Sequence, residues 1–303
     1  MPCFKPLQGY FSVDPDSGKK KFVGCPIMFD HWKRGYSSLD NRRKSLPCGR
    51  CIGCRLDRSR GWAMRCIHEA SLHESNCFIT LTYAPEFLPE GGTLVKKHFQ
   101  DFMKRLRKKF GSGIRFFHCG EYGDLYKRPH YHAIIFNLDF DDKVLYKIEN
   151  GCRLYTSDNL HSLWPYGLCT VGAVTFESAA YVARYIMKKV TGDMAEAHYG
   201  GRLPEYTTMS RRPGIAFDWF KKFKSDVYPS DQVIVRGFPC KPPRYYDTLF
   251  ELEDPLLFQS LKEKRSVVTE KRLRENGFSR LAVRERVKSL CVSRLVRGLE
   301  NVI

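Results

Sequence analysis

The sequence predicts an α+β fold, an antiparallel sheet with flanking helices. Three observations carry this. Short runs rich in β-branched and aromatic residues recur between helical stripes. Their order is strand, helix, two strands, helix and strand, then a final helix. The two central strands are joined by only Gly123–Arg128, short enough for a hairpin-like return. A split β-α-β arrangement fits that order.

The elements follow from local patterns. Residues 1–54 are dominated by Pro, Gly, Cys and basic residues, and no period persists, so they read as an irregular Cys-rich segment. From Arg55 to Leu72, Leu56, Trp62, Cys66 and Ala70 fall near helical spacing. Cys77–Tyr83 reads as a strand closed by Ala84-Pro85. Phe99, Phe102, Met103, Leu106 and Phe110 make an amphipathic stripe, with Lys104, Arg105, Arg107, Lys108 and Lys109 opposite. Arg115–Tyr122 and Pro129–Asn137 are the two central strands, and Leu138–Gly151 reads as an insertion. A short helix over Asp158–Leu163 stops before Pro165; a fourth strand covers Leu168–Phe176, and a helix runs from Glu177 to about Val190. Beyond Thr191 come a basic turn, Ser210-Arg211-Arg212-Pro213-Gly214, a short helix around Phe217, Phe220 and Phe223, a small strand at Val233–Val235, and a basic aromatic linker, Lys241–Tyr246. Residues 255–303 read as charged helices. The expected organisation is a Cys-rich segment (1–54), a core (55–192), a basic extension (193–254) and a helical tail (255–303).

Composition narrows the function. With 303 residues and 43% hydrophobic content, a sizeable core is affordable and global disorder is excluded. Fifty-one basic against 33 acidic residues leave a net charge of +18, which favours a polyanionic partner, nucleic acid first. No apolar run is long enough for a transmembrane helix and no signal peptide is evident, so a cytoplasmic protein is expected. Twelve cysteines in a reducing compartment point to metal ligands and buried thiols rather than disulfides.

His130-Tyr131-His132 places two imidazoles on one face of a strand, so both can bind one metal ion. If Gly123–Arg128 is the connection, antiparallel pairing sets Glu121 opposite His130, and paired residues project from the same face. Glu121, His130 and His132 are therefore the candidate metal ligands. Nitrogen donors suit Mn, Zn, Ni and Co, while Mg prefers oxygen; for phosphate chemistry, Mg or Mn is expected. His118 faces the other way and reads as structural. On the last core helix Tyr181 and Tyr185 share a face, with Lys188 on the same side and Lys189 beside it. A phenol of pKa about 10 needs a nearby cation to act as a nucleophile; Lys188 is placed to stabilise its anion or a phosphorane-like transition state. Arg211, Arg212, Lys189 and the Lys104–Lys109 run are candidate DNA contacts, and Tyr245 and Tyr246 could stack unpaired bases. Cys48-x-x-Cys51-x-x-Cys54 is a metal-ligand spacing that suggests structural Zn. The fourth ligand is open, with Cys25 or Cys3 ahead of Cys66 and His68.

Phe78-Ile79-Thr80-Leu81-Thr82-Tyr83, His130-Tyr131-His132 and Tyr181-x-x-x-Tyr185-x-x-Lys188-Lys189 resemble the three rolling-circle motifs of HUH endonucleases. The chain is similar in particular to replication initiators of gokushovirus-type Microviridae, over about residues 45–250. The resemblance implies an HUH-like split βαβ core and nicking of origin single-stranded DNA. It implies a 5′-phosphotyrosyl intermediate at Tyr181 or Tyr185 and a divalent ion at His130 and His132. It also implies a 3′-OH that primes host polymerase, rejoining of the displaced genome, and action with host helicase in a bacterial cell. Competing readings are a non-catalytic, zinc-containing nucleic-acid-binding protein and a zinc hydrolase that activates water.

Overall fold

The structure, a computed structural model, describes residues 3–13, 20–24, 44–123, 126–149, 151–188, 190, 194–275 and 277–294. In chain order the elements are β1 (Leu7–Val13), β2 (Lys20–Gly24), β3 (Lys44–Leu46), α1 (Ile52–Ala70), β4 (Asn76–Thr82), α2 (Lys96–Phe110), β5 (Arg115–Tyr122) and β6 (Pro129–Phe136). Then follow β7 (Val144–Glu149), β8 (Cys152–Thr156), α3 (Asp158–Leu163), β9 (Cys169–Gly172), α4 (Phe176–Lys188), α5 (Met194–Tyr199) and β10 (Tyr206–Met209). The chain closes with α6 (Phe217–Val227), β11 (Val233–Val235), β12 (Phe238–Cys240), α7 (Arg244–Glu253), α8 (Pro255–Glu275) and α9 (Phe278–Ser293). The fold is a mixed α+β fold with an antiparallel sheet, helices and an N-terminal cysteine cluster. Two compact units are present: residues 1–57 with 268–295, and residues 58–267 with 296–303.

The larger unit is built on a seven-stranded sheet of order β10-β5-β6-β4-β9-β8-β7, with every neighbouring pair antiparallel. β4 and β5, joined through α2, leave a gap that β6 fills. β6 is therefore central, and all eight of its residues are buried. Both faces are covered, so its side chains divide by alternation. Ile134 and Phe136 join Phe78 and Phe117 under Ala63 and Met64 of α1, Val182 and Ala183 of α4, and Tyr246 of α7. Tyr131, Ala133 and Ile135 join Ile79 and Leu81 under Phe99, Phe102 and Leu106 of α2, with Trp164. The Trp164 indole N–H donates to the Thr82 carbonyl at 2.7 Å, tying the end of β4 to this second core. Gly167 runs against the same corner: a Cβ there would lie 2.4 Å from the Ala84 nitrogen, so no side chain fits.

Several sequence expectations are corrected. Among the described residues of the N-terminal segment, β2-β1-β3 form a three-stranded antiparallel sheet where an irregular stretch was expected. The Leu138–Gly151 insertion contains β7, which pairs with β8 and extends the main sheet. Its Val144, Leu145, Tyr146 and Ile148 are all exposed, so no alternation marked it as a strand. The fourth strand stops at Gly172, short of Phe176. The Lys241–Tyr246 linker instead enters α7, with Pro243 at its N-cap.

Tyr246 consequently does not present a base-stacking surface, and Tyr245 is half-buried with one ring face covered. Tyr246 is fully buried and its hydroxyl meets the His68 Nδ1 at 2.7 Å. The Arg65 guanidinium lies over the Tyr245 ring at 3.9 Å. Part of the expected basic face of α2 is also engaged within the fold. Arg105 donates to the Leu163 carbonyl at 2.9 Å and Arg107 to the Ile114 carbonyl at 3.0 Å.

His68 stacks on Trp219 at a 3.6 Å centroid distance. Burial pulls its imidazole down from 6.5 to about 4. A folded value below the unfolded one means that the stability it supports is complete above pH 6.5 and is lost as pH falls toward 4. Across that window the parent protein should lose up to about 1.4 kcal/mol per pH unit more than His68→Gln, read from urea midpoints. Parallel curves for the two proteins would contradict this.

Candidate active site

Antiparallel pairing of β5 with β6 sets Glu121 opposite His130 and Cys119 opposite His132. On the other flank of β6, β4 sets Thr80 opposite His132. The face carrying His130 and His132 is the one that α4 covers. Glu121 Oε1 lies 2.9 Å from His130 Nε2 and 3.0 Å from His132 Nε2. All three side chains are at most 4% exposed.

The outer nitrogens are anchored. His130 Nδ1 lies 3.1 Å from the Arg128 carbonyl, which can only accept, so Nδ1 carries the proton. A neutral His130 then turns a bare Nε2 lone pair toward the carboxylate. Two acceptors at that separation repel unless a cation, either a proton or a metal ion, lies between or beside them. His132 Nδ1 is held by the Thr80 hydroxyl at 2.9 Å. Such outer partners orient imidazole ligands in metal sites. Burial alone would raise the Glu121 carboxyl, but with a proton as the cation on His130 Nε2, the charge of His130 and hydrogen bonds from His130 and His132 hold it at about 2. The donor set fits a divalent cation: ligand atoms about 2.1 Å from an octahedral ion and at right angles stand about 3.0 Å apart.

Tyr181 of α4 completes the cluster. Its hydroxyl lies 3.4 Å from both Glu121 Oε1 and His132 Nε2. Its ring meets the His132 ring edge-on at 5.0 Å and Phe78 edge-on at 6.4 Å. α4 is fixed at this depth by Ala179, Val182 and Ala183, all fully buried, and by the Ser59 hydroxyl, which donates to the Ala180 carbonyl at 3.3 Å. Ser178 hydrogen-bonds Thr175 at the start of the helix.

The structure thus brings Glu121, His130, His132 and Tyr181 together. Tyr185 and Lys188 lie on the backbone of α4, but their side chains fall outside the described residues, as does the whole of Lys189. Arg211 and Arg212 are exposed in the turn after β10. His118 faces the opposite core, stacked on Phe99 at 3.4 Å, and takes no part. Sequence reasoning missed the roles of Thr80 and the Arg128 carbonyl. The Thr80–His132 pairing was hidden because it depends on the β4–β6 register, which no short connection reveals.

A second cluster lies in the smaller unit. Cys3, Cys48, Cys51 and Cys54 bring their sulfurs within 4.8 Å of one another. Cys3 supplies the fourth thiol; Cys25 lies outside the described residues, and Cys66 is in the main core. No helix among the described residues is long and apolar enough to cross a membrane.

Residues 76–190 match the family described as "Replication-associated protein ORF2/G2P". The chain is 32% identical to "Replication-associated protein ORF2" of Spiroplasma virus 4, across 100% of this chain and 96% of that protein. It is 36% identical to "Replication-associated protein VP4" of Bdellovibrio phage phiMH2K, across 84% of this chain and 79% of the relative. It is 31% identical to "Replication-associated protein ORF4" of Chlamydia phage 1, across 71% and 56%. No solved structure matches the chain.

An ion held by Glu121, His130 and His132 stabilises the folded state by mass action, by about 2.7 kcal/mol at 100 times its dissociation constant. Added Mn²⁺ should therefore raise the thermal midpoint of the parent and of Cys152→Ser, which changes an exposed thiol remote from the site. It should leave His132→Ala unmoved. Equal shifts in all three would place the ion elsewhere.

Proposed function

The chain belongs to the replication-associated Rep family of HUH-like rolling-circle initiators, and from that premise we propose that it nicks and rejoins single-stranded origin DNA through tyrosine transesterification. The observation that carries this reading is the Tyr181 hydroxyl, 3.4 Å from two donor atoms of the Glu121–His130–His132 centre. On this reading, β4, α2 and β5 with β6 inserted between the strands are the HUH core. The initiator belongs with those of gokushovirus-type Microviridae.

Glu121, His130 and His132 would hold Mg or Mn, which when bound polarises the scissile phosphate and neutralises developing charge. Tyr181 Oη attacks phosphorus. The new bond is Oη–P and the bond that breaks is P–O3′, so the chain is left on the 5′ phosphate and the 3′-oxygen leaves as a hydroxyl after taking a proton. That 3′-OH would serve as primer for host polymerase, with host helicase opening the template. Burial serves the attack, because a dry pocket strengthens every charge interaction around the reacting phosphate.

Tyr185 follows Tyr181 by one helical turn and is assigned the second transesterification, which closes the displaced strand while the first tyrosine is occupied. Lys188, seven residues after Tyr181 in the sequence, is assigned to stabilise the phenolate or the transition state. Arg211, Arg212 and Lys189 are assigned to phosphate contacts on the incoming strand.

Incubation with a single-stranded origin oligonucleotide and Mn²⁺, followed by denaturing electrophoresis, tests the proposal. A covalent protein–DNA band is expected, falling by at least about 1,000-fold in the Tyr181→Phe/Tyr185→Phe double variant, since removal of a nucleophile costs that much or more. Of the two single variants, Tyr185→Phe should still cleave but join poorly. Cleavage that survives the double change would replace this reading with hydrolysis by activated water.

A further inference from the structure

The smaller unit has a chemical centre that the strand-transfer chemistry does not use. Cys3 precedes β1, Cys48 and Cys51 follow β3, and Cys54 sits in the first turn of α1. Two stretches of backbone, one around Cys3 and one over Cys48–Cys54, thus deliver four sulfurs to one point, all within 4.8 Å of one another. Cys3 and Cys51 are 3.8 Å apart, and all four are free thiols. A disulfide needs about 2.05 Å. Four sulfurs placed tetrahedrally about 2.3 Å from one zinc ion stand about 3.8 Å apart.

The surrounding backbone is arranged for sulfur carrying negative charge. The Phe4 amide donates to Cys51 Sγ at 3.3 Å, the Cys48 amide to Cys3 Sγ at 3.2 Å, and the Cys51 amide to Cys48 Sγ at 3.3 Å. A neutral thiol is a weak acceptor; three amides turned toward sulfur suit thiolates, as the outer partners of metal ligands do. Lys5, Arg50 and Arg55 neighbour the cysteines in sequence, a basic setting for the two net negative charges of a four-thiolate zinc site, although Lys5 also pairs with Glu285 at 3.4 Å.

Beside its three-stranded sheet, the unit buries little apolar area among its described residues. Among its described residues the buried apolar core is Phe4, Cys51 and Leu281, with Cys3, Cys48, Ile52 and Cys54 packed around it. Most of that cluster is cysteine. Units this small seldom fold on so little apolar area without a metal or a cross-link. We propose that Cys3, Cys48, Cys51 and Cys54 bind one structural Zn²⁺ that clamps the N-terminal residue run, the loop after β3 and the start of α1 into a folded module. The four thiols release their protons on binding, and the closed tetrahedral shell leaves no position for substrate. An iron–sulfur cubane is disfavoured, because its thiolates sit on different irons and stand farther apart than these do.

The test uses the full chain carrying His130→Ala and His132→Ala, so that the centre on β5 and β6 cannot account for bound metal. Elemental analysis should find one zinc per chain, unchanged by Cys152→Ser and reduced at least tenfold by Cys51→Ser. Replacement by Co²⁺ should give the intense thiolate-to-cobalt absorption and tetrahedral visible bands of a four-sulfur site, a readout on the parent that stands even if Cys51→Ser does not fold. Chelation should make the residues around Cys48–Cys54 sensitive to protease. A folded, zinc-free protein in which these thiols react freely would overturn the proposal. So would iron in place of zinc, or zinc retained in Cys51→Ser.

Discussion

The pairing of Glu121 with His130 across two neighbouring strands is the constraint on which the rest of the larger unit depends. A carboxylate at 1% exposure is tolerable only when compensated. Here the compensation comes from two imidazoles that alternation along β6 delivers to the same face. A slip of one residue in the β5–β6 register would turn Glu121 into the opposite core, against Tyr131 and Phe99, and leave His130 facing apolar side chains. The hydrophobic sorting of the two faces and the assembly of the site are therefore one decision.

The same economy places Tyr181. Tyr181 sits among small, fully buried residues, Ala179, Val182 and Ala183, which let α4 approach the sheet closely. A ring projecting from that helix reaches the histidines with little freedom to swing away. Thr80 of β4 and the Arg128 carbonyl, on the connection that enters β6, then fix the imidazole orientations from behind. Apart from the Arg128 carbonyl on the β5–β6 connection, strands and helices rather than loops define the contacts of the cluster, which is what precise placement of reacting groups requires.

How much of this was legible depends on whether neighbours in space were neighbours in the chain. β5 and α3 were read with their observed bounds because both are bracketed by strong local signals, and the Glu121–His130 register followed from one short connection. The β4–β6 pairing, and with it Thr80, spans fifty residues and left no such mark. β7 was missed because an edge strand with both faces exposed need not alternate. The N-terminal sheet was missed because three strands of seven, five and three residues among Pro, Gly and Cys carry too little period. Tyr245 and Tyr246 misled because an aromatic pair beside Arg244 looks alike whether it faces solvent or opens a buried helix. Cys3 was weighed as a ligand, but choosing it required the fold that returns the N-terminal residues to Cys51.

Anomalous diffraction from crystals of the protein loaded with Mn²⁺ tests the central claim most directly. The account predicts a single strong peak on the α4 side of the sheet, about 2.2 Å from Glu121 Oε1 and the Nε2 atoms of His130 and His132, with the Tyr181 hydroxyl beside it. A peak bound elsewhere, or one lying at these ligands with Tyr181 turned away from it, would contradict the account.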